Sequence, residues 1–213
     1  MTRRVPLPPA VLSKASVNIL TSVEIVHRTH ASGYRSAEFN PCEGQPSRFA
    51  PFEDKDGNCV PTLYGATSRE AAAFETIFHD IEPSATFKTV RLDVAEARTV
   101  SQIKPKRDLR LVKLFEPDLM AWGLTRGQLI DTPKSAYGET VLWAQRIYGS
   151  CPDIDGLMWT SGRCDPERCV VLFGDRVREA DFEVRDAKEV SNDSALLLEL
   201  RAYGKRAGIY LVS

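Results

Sequence analysis

Residues 60–80 read VPTLYGATSREAAAFETIFHD and set one carboxylate, Glu75, among small and apolar neighbours. On a helix with ~100° per residue, Phe74, Ile77, Phe78 and Ile81 form one apolar stripe, and Glu75 falls beside Phe78 at its margin. A carboxylate there can serve a cleft, although most glutamates in such rim positions are simply solvated. Two arginines offer complementary chemistry. Arg28 interrupts the strand-like VEIVHRTH, and Arg48 sits beside aromatic residues in SRFAPF. A guanidinium fork matches the oxygens of phosphates and carboxylates, so both arginines are candidates for a phosphorylated ligand. Their bland uses are a strand-edge ion pair for Arg28 and a solvated loop cation for Arg48. Ser161 follows the apolar DGLMWT and precedes a turn. Without a histidine partner it can orient a neighbour or bind a ligand amide but is not an activated nucleophile, and serines in this position are commonly turn residues.

Several other chemistries are excluded. The chain has no GxxxxGK[ST] loop, no GxGxxG after a strand, no GxSxG and no HExxH. His27 and His30 lie along a strand whose alternation sends them to opposite faces, so no metal site is expected, and His79 is expected at a helix end. Twenty-eight Lys and Arg against 29 Asp and Glu give a net charge of -1, and 43% of residues are hydrophobic. That balance is an ordinary globular one and gives no field for direct nucleic-acid binding. No run approaches the ~20 apolar residues of a membrane span, and the first twenty residues lack a secretory apolar core, so the expected compartment is the cytoplasm. Five cysteines, at 42, 59, 151, 164 and 169, contain no CxxC and are expected to be free thiols.

The elements that must position these groups follow from periodicity. Residues 1–22 hold three of the thirteen prolines and a weak helical pattern, and are expected to form an extension on a domain spanning 23–213. A strand is expected over 23–30, then a long loop rich in Gly, Pro, Ser and Asn up to Cys59. A strand over 60–66 leads into a helix over about 68–80, with Thr67 and Glu70 in capping-box spacing. TFKTVRLDV, ARTVSQI and LRLVKLF read as strands, and 117–130 as short helical pieces. TPKSAYGETVLWAQRIYG reads as a helix with Thr132 as N-cap, Pro133 at its first position and Gly149 as its stop. Strands DGLMWT, CVVLFG and DFEVRDA, a helix over 194–206 and a last strand GIYLV complete the chain. Strands interrupted irregularly by helices predict an α+β fold with a mixed, mostly antiparallel sheet.

The ordered set VHRTH, SRFAPF, PTLYGATSREAAAFE, DGLMWTSGR and CVVLFG resembles the RES domain family, over roughly residues 23–175. The resemblance implies a core like that of diphtheria-toxin-like ADP-ribosyltransferases and the role of toxin in a type II toxin–antitoxin pair. It implies NAD+ as substrate, with no cofactor and no metal, and cleavage of the nicotinamide–ribose bond by hydrolysis or phosphorolysis, that is, an NAD+ glycohydrolase or NAD+ phosphorylase. Inorganic phosphate and an Xre-type helix-turn-helix antitoxin are the implied partners. By the same resemblance Glu75, Arg48 and Ser161 are the catalytic positions, while Arg28 and Tyr64 contact NAD+ or phosphate. Two rival readings share these residues: a protein ADP-ribosyltransferase toxin, and a non-catalytic interaction domain that keeps the fold. An insertion-like EDKDGNCV between Arg48 and Tyr64, and Trp159 before the serine, set this chain apart from the family pattern.

Overall fold

Stretches with period-two alternation become strands wherever a neighbour can pair with them. A computed structural model describes residues 5–213. In chain order the elements are β1 (Val17–Leu20), β2 (Val26–Ala31), β3 (Thr62–Ala66), α1 (Arg69–Phe74), β4 (Thr89–Arg91), α2 (Leu92–Glu96), β5 (Arg98–Pro105) and β6 (Leu109–Lys113). They continue with α3 (Glu116–Met120), α4 (Arg126–Leu129), α5 (Tyr137–Ser150), β7 (Gly156–Thr160), β8 (Arg168–Phe173), β9 (Phe182–Glu189), α6 (Ser194–Arg206) and β10 (Tyr210–Val212). Eight strands form one sheet in the order β1-β6-β7-β8-β3-β2-β5-β9. All its neighbours are antiparallel except β6 and β7. Strands β4 and β10 form a separate parallel pair. The fold is α+β with a large, mostly antiparallel sheet.

The sheet has two unlike faces. Leu63, Val26, Ile103, Val170 and Leu172 pack together on one side. The other side is covered by helices and carries the larger core, including Phe49, Phe78, Trp143 and Trp159. Alternation along β3 sends Leu63 to the first side and Tyr64 and Ala66 to the second. Gly65 has no side chain because Val26 Cγ1 stands 2.3 Å from where its Cβ would be. This close approach of β2 and β3 aligns the strands that carry Thr29 and Tyr64.

Several expected boundaries shift, each for a local reason. Helix α1 stops at Phe74 instead of running to residue 80. Its N-cap is Ser68, which accepts from Ala71 N at 3.2 Å, while Thr67 Oγ1 donates to Glu167 Oε2 at 2.6 Å. Beyond Phe74 the amides of Thr76, Ile77 and Phe78 all converge on the carbonyl of Ala73, which tightens the chain into turns. Glu75 is therefore a C-cap residue (φ -83°, ψ 0°), not a mid-helix one, and His79 ends no helix. In TFKTVRLDV only Thr89–Arg91 is strand, and the following residues coil into α2. Thr132 and Pro133 precede a 3-10 turn, so α5 starts at Tyr137, and it continues past Gly149 to Ser150.

The weak helical pattern in residues 1–22 produces no helix among the described residues, and the first four lie outside them. Instead β1 pairs with β6 at the sheet edge, Val5 is buried, and Trp143 Nε1 donates to the Pro6 carbonyl at 2.6 Å. The long loop of residues 32–61 is packed, with Phe49 and Phe52 buried. Against the expectation of five free thiols, Cys42 and Cys59 are disulfide-bonded, with Cα atoms 6.1 Å apart. The turn at EDKDGN folds back through the Glu53↔Cys59 bridge, and Asp54 Oδ1 accepts from the amides of Asp56 and Asn58. That fold-back brings Cys59 to Cys42, a proximity that sequence spacing does not reveal. Cys151, Cys164 and Cys169 are free. Among the described residues no helix is long and apolar enough to cross a membrane.

Two consequences are measurable. A Cβ at Gly156 would stand 2.1 Å from the Val171 carbonyl oxygen, backbone that cannot move without breaking the β7–β8 ladder. Gly156→Ala should cost roughly 3 kcal/mol and lower Tm by about 6–12 °C, whereas Gly33→Ala, with nothing within 4 Å, should leave Tm near the parent. Acid sensitivity provides the second. His30 is buried with Nε2 at 2.9 Å from Ser101 Oγ, and burial, aided by the Arg28 charge, depresses its pKa to about 4. The unfolded chain binds this proton more tightly, so the stability His30 contributes is full above pH 6.5 and is lost as pH falls toward 4. Urea denaturation of His30→Gln between pH 7 and 4 should show a shallower loss of stability than the parent.

Candidate active site

The turn that ends α1 meets the turn that ends β7. Past Thr160 the chain bends sharply, closed by Ser161 N donating to the Glu167 carbonyl at 2.8 Å. Inside this bend Ser161 Oγ accepts from the amides of Arg163 (3.0 Å) and Cys164 (2.9 Å). With its acceptor capacity used, its one proton goes to Glu75 Oε1, at 2.5 Å. Gly162 N donates to the same oxygen at 3.1 Å. The carboxylate is thus held by two donors on Oε1, and Oε2 makes no hydrogen bond among the described residues. Ser161 itself is 1% exposed and stands behind Glu75, outside the cavity wall.

Glu75 faces a cavity of about 450 Å³ that Tyr64 and Arg48 also line, within the usual range of small-molecule sites. Tyr64 projects from β3 on the helix-covered side, and its hydroxyl oxygen accepts from Ser47 Oγ (3.0 Å) and Phe49 N (2.9 Å). Burial pushes its pKa up to about 12, so the phenol stays neutral and pins the loop segment 47–49. Phe49 is fully buried edge-on to Trp159, ring centroids 5.1 Å apart. Between these two anchors Arg48 is directed to the cavity. Its Nη1 donates to Thr132 Oγ1 at 2.9 Å, its guanidinium lies 5.2 Å from the Tyr137 ring centre, and its carbonyl accepts from Thr140 Oγ1. No carboxylate lies within ion-pairing distance of Arg48 among the described residues.

Arg28 is placed elsewhere. On β2 it alternates with Thr29, shares the face of Val26, and is 8% exposed. Its Nη1 donates to the carbonyls of Arg35 (3.1 Å) and Ser36 (3.0 Å), and burial lowers its pKa to about 10. It does not line the cavity with Glu75, Arg48 and Tyr64. The strand that carries it contributes Thr29 instead.

Among the cavity residues not singled out as site residues from the sequence are Arg98, Lys134, Tyr137 and Thr29. His79 joins them, with Nε2 at 3.1 Å from Tyr137 OH and Nδ1 at 2.8 Å from Asp80. Lys134 Nζ sits 2.6 Å from Asp80, so these two charges cancel. Arg48 and Arg98 remain without carboxylate partners among the described residues, leaving the cavity with two uncompensated cations opposite one fixed carboxylate. Nothing in the local pattern of ARTVSQI marks Arg98, because its placement depends on the β2–β5 pairing. No group of three metal-ligating side chains is present among the described residues.

The geometry can be compared with known proteins. The family model of the RES domain matches residues 25–193. Among solved structures, a chain of the M. tuberculosis MbcT–MbcA toxin–antitoxin complex superposes with a TM-score of 0.58 at 21% sequence identity, covering 84% of this chain and 89% of that one. At that identity the likeness establishes the fold. A search of curated proteins finds no match. With a match spanning most of its length and the same α+β architecture, this chain belongs to the RES domain family.

Proposed function

We propose that this protein is the toxin of a toxin–antitoxin pair and that it degrades NAD+ by cleaving the nicotinamide–ribose bond. The observation that carries this reading is Glu75, fixed by Ser161 and Gly162 at the wall of a cavity lined by two arginines that have no carboxylate partner among the described residues. Membership of the RES family and the fold shared with a chain of a toxin–antitoxin complex support it.

The chemistry suits the groups present. Nicotinamide in NAD+ is already cationic, so the C1′–N bond can break with its electron pair moving onto the ring, and nicotinamide leaves neutral without a general acid. Positive charge gathers on the ribose as in other glycosidic cleavages. Glu75, presented through its free Oε2, stabilises that charge or holds a ribose hydroxyl, and preorganised charge of this kind is often the largest catalytic contribution. Ser161 is a positioning residue that acts through Glu75. Arg48 binds the pyrophosphate, and Tyr64 offers an aromatic face to nicotinamide. Water then adds to C1′ and releases one proton to solvent, or inorganic phosphate adds through one of its anionic oxygens. Because the cavity opens to the surface, an Xre-type antitoxin that covers it would block the reaction.

Two substitutions test these roles. Glu75→Gln keeps the side-chain volume and should leave Tm close to the parent while lowering kcat for nicotinamide release at least about a hundredfold. Arg48→Ala should act chiefly on affinity, raising the Kd for NAD+ about tenfold or more. Unchanged affinity with a loss confined to kcat would remove Arg48 from pyrophosphate binding.

A further inference from the structure

Besides Arg48, the cavity has a second cationic place. Arg98 opens β5 opposite Ala31, and Val100 pairs with Thr29, so Arg98 and Thr29 are diagonal neighbours on one face of the β2–β5 pair. Both line the cavity. Arg98 Nε and Thr29 Oγ1 are buried and have no hydrogen-bond partner among the described residues. The rest of the Arg98 guanidinium likewise makes no hydrogen bond or ion pair there. Of the other cations of this wall, Lys134 is neutralised by Asp80, while Arg48 donates to Thr132 and lies over the Tyr137 ring but has no carboxylate partner among the described residues.

Buried donors are almost always paired, and leaving one unpaired is costly. A guanidinium keeps its charge at any ordinary pH; carbonyls satisfy that of Arg28, but none reaches Arg98 among the described residues, and an anion from solution is the partner that would meet both its donors and its charge. The fork takes two oxygens of that anion, and the neighbouring hydroxyl is placed for a third. Three acceptor oxygens on one centre describe a phosphoryl group. We propose that Arg98 and Thr29 form a phosphoryl-binding subsite of the cavity, distinct from the contacts of Arg48. It deepens the NAD+ reading above, on which the identity of the ligand rests. The phosphoryl group belongs either to the pyrophosphate of the dinucleotide or to free inorganic phosphate, the acceptor in phosphorolysis.

Calorimetric titration separates the cases. NAD+ in phosphate-free buffer and inorganic phosphate alone are titrated into the parent, Arg98→Met, Arg98→Lys and Thr29→Val, each first checked for an unchanged far-UV spectrum. The expected result is at least a tenfold rise in Kd for one of the two probes in Arg98→Met, a smaller rise in Thr29→Val for the same probe, and incomplete rescue in Arg98→Lys, which keeps the charge without the fork. A loss confined to NAD+ assigns the subsite to the dinucleotide, and a loss confined to phosphate assigns it to the acceptor. Parent-like binding of both probes by Arg98→Met overturns the proposal. If the parent neither binds NAD+ nor releases nicotinamide, the NAD+ reading fails by itself. Phosphate binding lost in Arg98→Met would then still support the subsite, and no phosphate binding by the parent would overturn it too.

Discussion

The hydrogen bond from Ser161 to Glu75 ties together two turns that are 86 residues apart in sequence. One ends the short helix α1 and presents Glu75; the other leaves β7 and presents the Ser161 hydroxyl and the Gly162 amide to it. In the first turn, convergence of three amides on the Ala73 carbonyl cuts the helix short and frees Glu75 from the helical surface. In the second, two backbone amides occupy the serine oxygen and leave its proton only one destination. A carboxylate on a continuous helix could swing through several rotamers. Here it is held on one oxygen and open on the other, which is what a group that must stabilise transient positive charge requires.

The remaining site geometry is a consequence of the sheet. Tyr64 and Thr29 reach the cavity because alternation along β3 and β2 sends them to the helix-covered face, and Gly65 lets those strands approach. Tyr64 in turn anchors the Ser47–Phe49 segment, so a residue on a long loop, Arg48, has its backbone fixed on both sides by buried contacts. The Cys42–Cys59 disulfide closes the same loop around Arg48. Charge is apportioned with similar economy. Asp80 neutralises Lys134, while two arginines keep their charge available in a cavity that also contains the carboxylate. An anionic ligand with a cationic leaving group is complementary to that arrangement.

Much of this was legible in the sequence, though unevenly. The α+β class and helix α6 followed from periodicity alone, because long or clean patterns survive tertiary packing. Glu75, Arg48, Ser161 and Tyr64 were singled out through ordered motifs, and the chain brings Glu75, Arg48 and Tyr64 to one cavity with Ser161 directly behind. What escaped depended on pairing partners. Arg98 looks like any strand-opening arginine until β5 is laid against β2. Arg28 looked accessible because alternation says which residues share a face but not which face meets the cavity. The α1 helix was read too long because its apolar stripe continues through Phe78, while the amides of that stretch turn to a single carbonyl. The disulfide was missed because the fold-back at EDKDGN, not the spacing of the cysteines, brings Cys42 and Cys59 together.

The account is tested most directly by incubating the purified protein with NAD+ and following the nicotinamide ring by proton NMR, with and without inorganic phosphate. It predicts free nicotinamide in stoichiometric amount, accompanied by ADP-ribose or, with phosphate, by its phosphorylated form. NAD+ that remains intact under both conditions would contradict the central claim.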